Sequence, residues 1–272
     1  MTQAPRALRV LLGLAVIGLA LLPLAGEPMY VQYAGKIMIM AIFAMSLDLL
    51  LGYTGLPSLG HALYFGIAGY ALAMLSGDAA PSLWWSLPGA MLLSALAAVA
   101  VGALVLRAGR VGFAMATLAI AQTMYLFVRD SKFLGGPDGY HLNASPMLPR
   151  YYLTLGLAVA TYVLLRTVLR SAFGRVLVGI RDNERRMRSL GFPTFRYKLT
   201  CFALAGALAG LAGYLATVQD GTANPDQLGW RRSGEALAMV ILGGRGTLAG
   251  PALGAGALML LELAFERMAG RG

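Results

Sequence analysis

The sequence predicts an all-α protein, a polytopic bundle of transmembrane helices. Three observations predict it: 58% of its 272 residues are hydrophobic, only 12% are charged, and apolar runs recur along its whole length. Soluble domains carry about 25% charged residues. A run of about 20 apolar residues crosses the ~30 Å hydrocarbon core of a bilayer, and no alternating pattern of the membrane-barrel kind is present. The whole chain, 1–272, reads as one membrane domain with about eight or nine spans, some broken or re-entrant.

Candidate spans are 8–25, 34–52, 57–76, 83–106, 112–128, 151–169, 198–219, 234–249 and 251–266. The first, preceded by Arg6 and Arg9, has the look of a secretory leader, but further spans follow it and it is taken as a membrane helix. A cytoplasmic N-terminus places most basic residues on the inner side, as positive-inside topology requires. Two outer loops, 129–150 and 220–233, are rich in Gly, Pro, Asn and Asp. Each reads either as a simple connection or as a docking surface or lid.

The polar exception is the loop from Arg170 to Lys198, with eight basic residues against Asp182 and Glu184. Arginines there fix the cytoplasmic side of a membrane. The stretch also spells one short capped helix, which topology alone does not require. Asp182 or Asn183 supplies the N-cap, Gly191 the left-handed stop, and Pro193 prevents continuation. Met187 and Leu190, at i and i+3, give that helix an apolar side beside its arginines.

Two stretches crowd Gly, Pro and hydroxyl residues into membrane-adjacent sequence, LGYTGLPSLGH (51–61) and LGGRGTLAGPALGA (242–255). Interrupted spans early and late in a chain point to a transport site built from broken helices. Candidate pathway residues are therefore Asp48, Gly52, Thr54, Gly55, Ser58, Gly60 and His61, with Gln122 from the fifth span and Gly243, Gly244, Gly246 and Thr247 from the late break. Asp48 must be paired, protonated or wet to lie in a span, and reads equally as a gating group or as an anchor near the inner end. Gln122 also reads as an interhelical hydrogen-bond partner.

Other chemistry lacks residues. The net charge of +10 is not interleaved with aromatic side chains as nucleic-acid binding needs. Cys201 is the only cysteine, His61 and His141 are the only histidines, and no metal or cofactor set emerges. No phosphate-binding loop and no serine elbow is present, so the chain reads as a non-enzyme.

Four stretches, 47–75, 135–140, 173–213 and 230–255, resemble the LivM-type permease subunits of branched-chain amino acid ABC importers. The resemblance runs from residue 40 to 264, with the motifs in the expected order. It implies a bacterial inner-membrane permease working with a second homologous permease, two cytoplasmic ABC ATPases and a periplasmic binding protein that selects a small amino acid. It also implies that the loop at 170–198 carries a cytoplasmic coupling helix, with Arg181, Asp182, Asn183, Glu184, Arg185, Arg186, Met187, Arg188, Leu190 and Gly191 as the ATPase-facing set. The Glu-Ala-Ala signature of ABC permeases at large is barely visible, and GGRGTL (243–248) also resembles urea permeases. Urea or a short amide is thus an alternative cargo, and a secondary transporter using Asp48 and His61 is the rival mechanism.

Overall fold

The computed structural model describes residues 6–25, 27–76, 83–142 and 147–269. Ten α-helices account for most of them: α1 (Arg6–Ala25), α2 (Pro28–Leu51), α3 (Ala62–Ser76), α4 (Leu83–Val105), α5 (Arg110–Asp130), α6 (Met147–Arg170), α7 (Ala172–Ser189), α8 (Thr194–Asp220), α9 (Trp230–Gly243) and α10 (Gly250–Ala269). Five of them, α2, α4, α5, α6 and α8, are long and apolar enough to cross a membrane. The chain is a polytopic all-α membrane protein.

Helices α2 and α8 form its centre. About 83% of the apolar window of each is buried, against 28% for α4, α5 and α6. Small residues let neighbours approach closely, the usual basis of helix association in lipid. Gly206 and Gly210 of α8 face Ala98 and Ser94 of α4, and Gly213 lies against the Phe65 carbonyl of α3. Polar ties pin the same seams: Ser94 Oγ donates to the Tyr64 carbonyl at 3.0 Å, and Ser86 Oγ lies 2.7 Å from the Tyr214 hydroxyl.

Two expected spans are shorter than anticipated. The stretch 57–76 becomes a helix only from Ala62, and the segment around Pro57 and Gly60 before it is irregular. The stretch 234–249 becomes α9, which begins at Trp230 and stops at Gly243 before the glycine-rich turn. At 1.5 Å per residue, α3 and α9 are about 22 and 21 Å long, less than the ~30 Å of a hydrocarbon core. Neither crosses alone. They are half-helices, and their starts meet where the Ala62 amide donates to Ser233 Oγ at 2.9 Å.

The loop after α5 and the loop after α8 are joined. β1 (Tyr140–His141) and β2 (Thr222–Ala223) pair antiparallel, Tyr140 opposite Ala223 and His141 opposite Thr222. Arg107, Arg110, the 170–198 loop and the glycine break lie at the other end of the bundle.

Gly213→Val drives a branched side chain into the Phe65 backbone, so the solubilised protein is expected to melt well below wild type. Gly234→Ala, where a Cβ meets nothing within 4 Å, is expected to leave the melting temperature unchanged. Thermal unfolding in detergent compares the two.

Candidate functional site

At the basic end of the bundle the two breaks touch. The chain leaves α2 at Gly52, whose amide closes the last turn on the Asp48 carbonyl at 2.7 Å. Across from it, the turn at 244–249 rests on Gly244 and Gly246, with φ of 94° and 75°, left-handed values that a side chain resists. Asp48 joins the two: its Oδ1 accepts from the Gly246 amide at 2.8 Å. A Cβ at Gly52 would stand 2.5 Å from the Gly246 nitrogen, so only glycine permits this approach. Asp48 is 1% exposed. Its anchoring role is therefore built around a backbone amide rather than the membrane surface.

Arg181 reaches into the same junction from α7. Its Nη1 donates to the Gly52 carbonyl at 2.6 Å, and its own carbonyl accepts from Arg110 Nη2 at 2.8 Å. A guanidinium thus satisfies a carbonyl that the end of α2 leaves without an intrahelical donor. Arg110 thereby belongs to this junction.

The polar loop has the capped helix. A first helical piece from Ala172 ends at a kink at Asn183, whose φ of −157° and ψ of 94° are extended, and the short helix follows it to Ser189. After the kink, Asn183 Oδ1 accepts from the Arg186 amide at 3.0 Å, the bond of an N-cap. The far end closes in a Schellman motif, with the Gly191 amide on the Arg188 carbonyl at 2.9 Å and the Phe192 amide on the Met187 carbonyl at 3.1 Å. Gly191, at φ 85°, supplies the left-handed residue.

Glu184 ties this short helix to α8. Its Oε1 accepts from Arg188 at 2.6 Å, Lys198 at 2.9 Å and Thr194 at 3.1 Å. Lys198 is 5% exposed. Burial acts to raise the Glu184 carboxyl, and the hydrogen bonds from Lys198 and Arg188 outweigh it, so the group is held below the usual carboxylate range. Asp182 takes an ion pair from Arg181 at 3.2 Å. Arg185, Arg186 and Leu190 remain exposed. Met187 does not share a free apolar side with Leu190, because it folds back on Gly179, where a Cβ would stand 2.7 Å from its sulfur.

The other pathway candidates separate. Thr54 Oγ1 turns back to the Leu50 carbonyl at 2.6 Å, and Gly55 lies beside Arg181 Cγ. Thr247 Oγ1 donates to the Gly244 carbonyl at 2.6 Å, closing the late turn, and Gly243 allows α9 to meet Gly250 of α10. His61 lies deeper. It is fully buried, its Nε2 is 2.8 Å from Ser46 Oγ, and it stacks on Phe43 at 5.3 Å. Ser58 is buried nearby in sequence, while Gly60 lets the chain touch the Thr117 carbonyl of α5. Gln122 stands apart, lining a cavity with Tyr125, Asp226 and Trp230 on the opposite side.

Two helices too short to cross alone meet where Ala62 bonds Ser233, and a charged, capped helix is latched to a separate junction between Gly52 and the Gly246 turn; broken helices of this kind are a pattern of transport-type membrane proteins. The sequence profile of the family described as "Branched-chain amino acid transport system / permease component" matches residues 29–271. The chain belongs to that family. It is 29% identical to the LivM high-affinity branched-chain amino acid transport permeases of Salmonella typhimurium and Escherichia coli, over 80% of this chain and 59% of each relative. It is 33% identical over 52% of its length to the autoinducer 2 import permease LsrC of Klebsiella pneumoniae, covering 43% of that protein. The chain spans about three-fifths of the length of the LivM relatives. No solved structure matches it.

Asp48→Ala leaves the Gly246 amide without its acceptor, a loss on the order of 1–3 kcal/mol, whereas Asp48→Asn keeps an oxygen in place. A melt in detergent is expected to fall by several degrees for Ala and by clearly less for Asn. The Glu184 cluster has a signed pH dependence. Its folded carboxyl ionises below its unfolded counterpart, so its contribution is complete above the unfolded value and lost as pH falls through the folded one. Protection factors across 184–192, with the intrinsic exchange rate divided out, are expected to hold until the pH drops below the ordinary carboxylate range; protection already lost near neutrality contradicts it.

Proposed function

We propose that this chain is a membrane-spanning subunit of an ATP-driven importer for branched-chain or related amino acids in a bacterial inner membrane. Its working assembly pairs it with a second homologous permease, two cytoplasmic ATPases and a periplasmic binding protein. The observation that carries the reading is the bond from Arg181 to Gly52, because it couples an exposed, capped helix to the broken helices of the transmembrane core.

The short helix has what a docking element needs: a fixed fold at both ends, exposed Arg185 and Arg186 for carboxylates, and Leu190 for an apolar groove. Glu184, held by Lys198, makes it one piece with α8. When the ATPases close on nucleotide, a displacement of this helix is passed through Arg181 to the end of α2 and through Asp48 to the turn between α9 and α10. The bundle then tilts between outward- and inward-open arrangements.

The cargo assignment follows the LivM relatives, which cover 80% of this chain. The autoinducer 2 permeases, covering 52%, favour a second cargo class on the same architecture. Ion coupling through Asp48 and His61 is the rival reading, and each of these keeps one buried polar atom without a partner, Asp48 Oδ2 and His61 Nδ1.

The reading is tested in proteoliposomes carrying the complete transporter. Leucine uptake is expected to require ATP and loaded binding protein; uptake driven by a proton gradient alone sinks it. Arg185→Glu with Arg186→Glu is expected to dissociate the ATPases, seen as loss of co-purification, while membrane insertion persists. Arg181→Met is expected to keep the ATPases bound but lower transport per ATP by roughly ten- to a hundredfold, the equivalent of one charged hydrogen bond of about 1.5–3 kcal/mol.

A further inference from the structure

At the end opposite the capped helix, α2, α8, α9 and α10 surround a cavity of about 240 Å³. That is below the ~300–1,000 Å³ typical of pockets for drug-sized ligands, so it suits a small solute. Its floor is apolar, with Ile39, Phe65 and Met259. Its rim carries charges of both signs. Lys36 Nζ is 3.2 Å from Asp220 Oδ1, and Arg232 bonds Glu235 at 3.0 Å with its guanidinium 5.9 Å over the Phe65 ring.

Glu262 also lines this cavity. It lies twelve residues beyond Gly250 on α10, about 18 Å along the helix axis. Among the described residues no cation stands within ion-pair distance of it. Glu262 is exposed on α10, and ionisable groups in membrane segments mark solute paths. The cavity thus carries two carboxylates outside any ion pair among the described residues, Glu262 and Glu266, beside the paired cations Lys36 and Arg232 and over an apolar floor.

We propose that this cavity is a station on the solute path that holds a zwitterionic α-amino acid with an apolar side chain. Its ammonium group meets Glu262, its carboxylate lies between Lys36 and Arg232, and its side chain rests on Ile39, Phe65 and Met259. A simple ion leaves the apolar floor unused, and an uncharged amide leaves Glu262 without its cation. The inference deepens the importer reading above, on which it rests for the identity of the solute.

The test uses the complete transporter in proteoliposomes, with L-leucine as the probe. Three variants are compared, Glu262→Gln, Glu262→Asp and Met259→Trp, the last filling the floor. Two quantities are read: leucine uptake, and ATP hydrolysis stimulated by leucine-loaded binding protein. Glu262→Gln and Met259→Trp are expected to lower uptake at least tenfold while hydrolysis stays at wild-type level, and Glu262→Asp is expected to restore most of the uptake. Wild-type uptake by both Glu262→Gln and Met259→Trp overturns the site. Loss of hydrolysis together with uptake marks a structural role and overturns it too. Uptake is read with and without ATP, so a wild type that needs none sinks the importer reading alone, while the variants still judge the site.

Discussion

Backbone groups freed inside a membrane must find partners within the protein, and that constraint organises this molecule. The chain breaks two helices where hydrocarbon would otherwise surround them, then spends Asp48 and Arg181 on the groups exposed. Asp48 covers the Gly246 amide and Arg181 covers the Gly52 carbonyl. A charged residue of each sign thereby holds the junction, while the second oxygen of Asp48, Oδ2, stays buried without a partner. The close approach of Gly52 to Gly246 makes the arrangement compact, since any side chain at Gly52 would separate the breaks.

The same junction explains why the polar loop has a defined shape. A loop needed only for membrane orientation requires charge, and flexible arginines would suffice. Here Asn183 and Gly191 set both ends of one short helix, and Glu184 fastens it to a buried lysine on α8. The kink at Asn183 divides α7 into two helical pieces that serve two purposes. Its first part packs toward the bundle, and its second part presents Arg185 and Arg186 to water.

Much of this was legible in the sequence because it depended on local rules. Gly and Pro clusters marked the breaks at 51–61 and 242–255, and cap chemistry marked Asn183 and Gly191. What was hidden depended on distance in the chain. Nothing in the pattern says that Asp48 finds an amide about two hundred residues away, or that Arg110 and Arg181 belong together. Lys198 was counted among eight basic residues, yet its burial against Glu184 separates it from all the others. The helical piece that runs from Ala172 up to Asn183 was not visible, because a cap signal carries no information about what precedes it. Met187 was paired with Leu190 by spacing, whereas the kink turned it back onto Gly179.

The short ladder between β1 and β2 carries a mechanical meaning. Its strands sit in two different loops, one following α5 and the other following α8. Two loops stitched in this way present a single plate rather than two independent flaps. Force applied to one edge of the plate is shared between a peripheral helix and a central one, which turns a local touch at this end into leverage on the middle of the bundle.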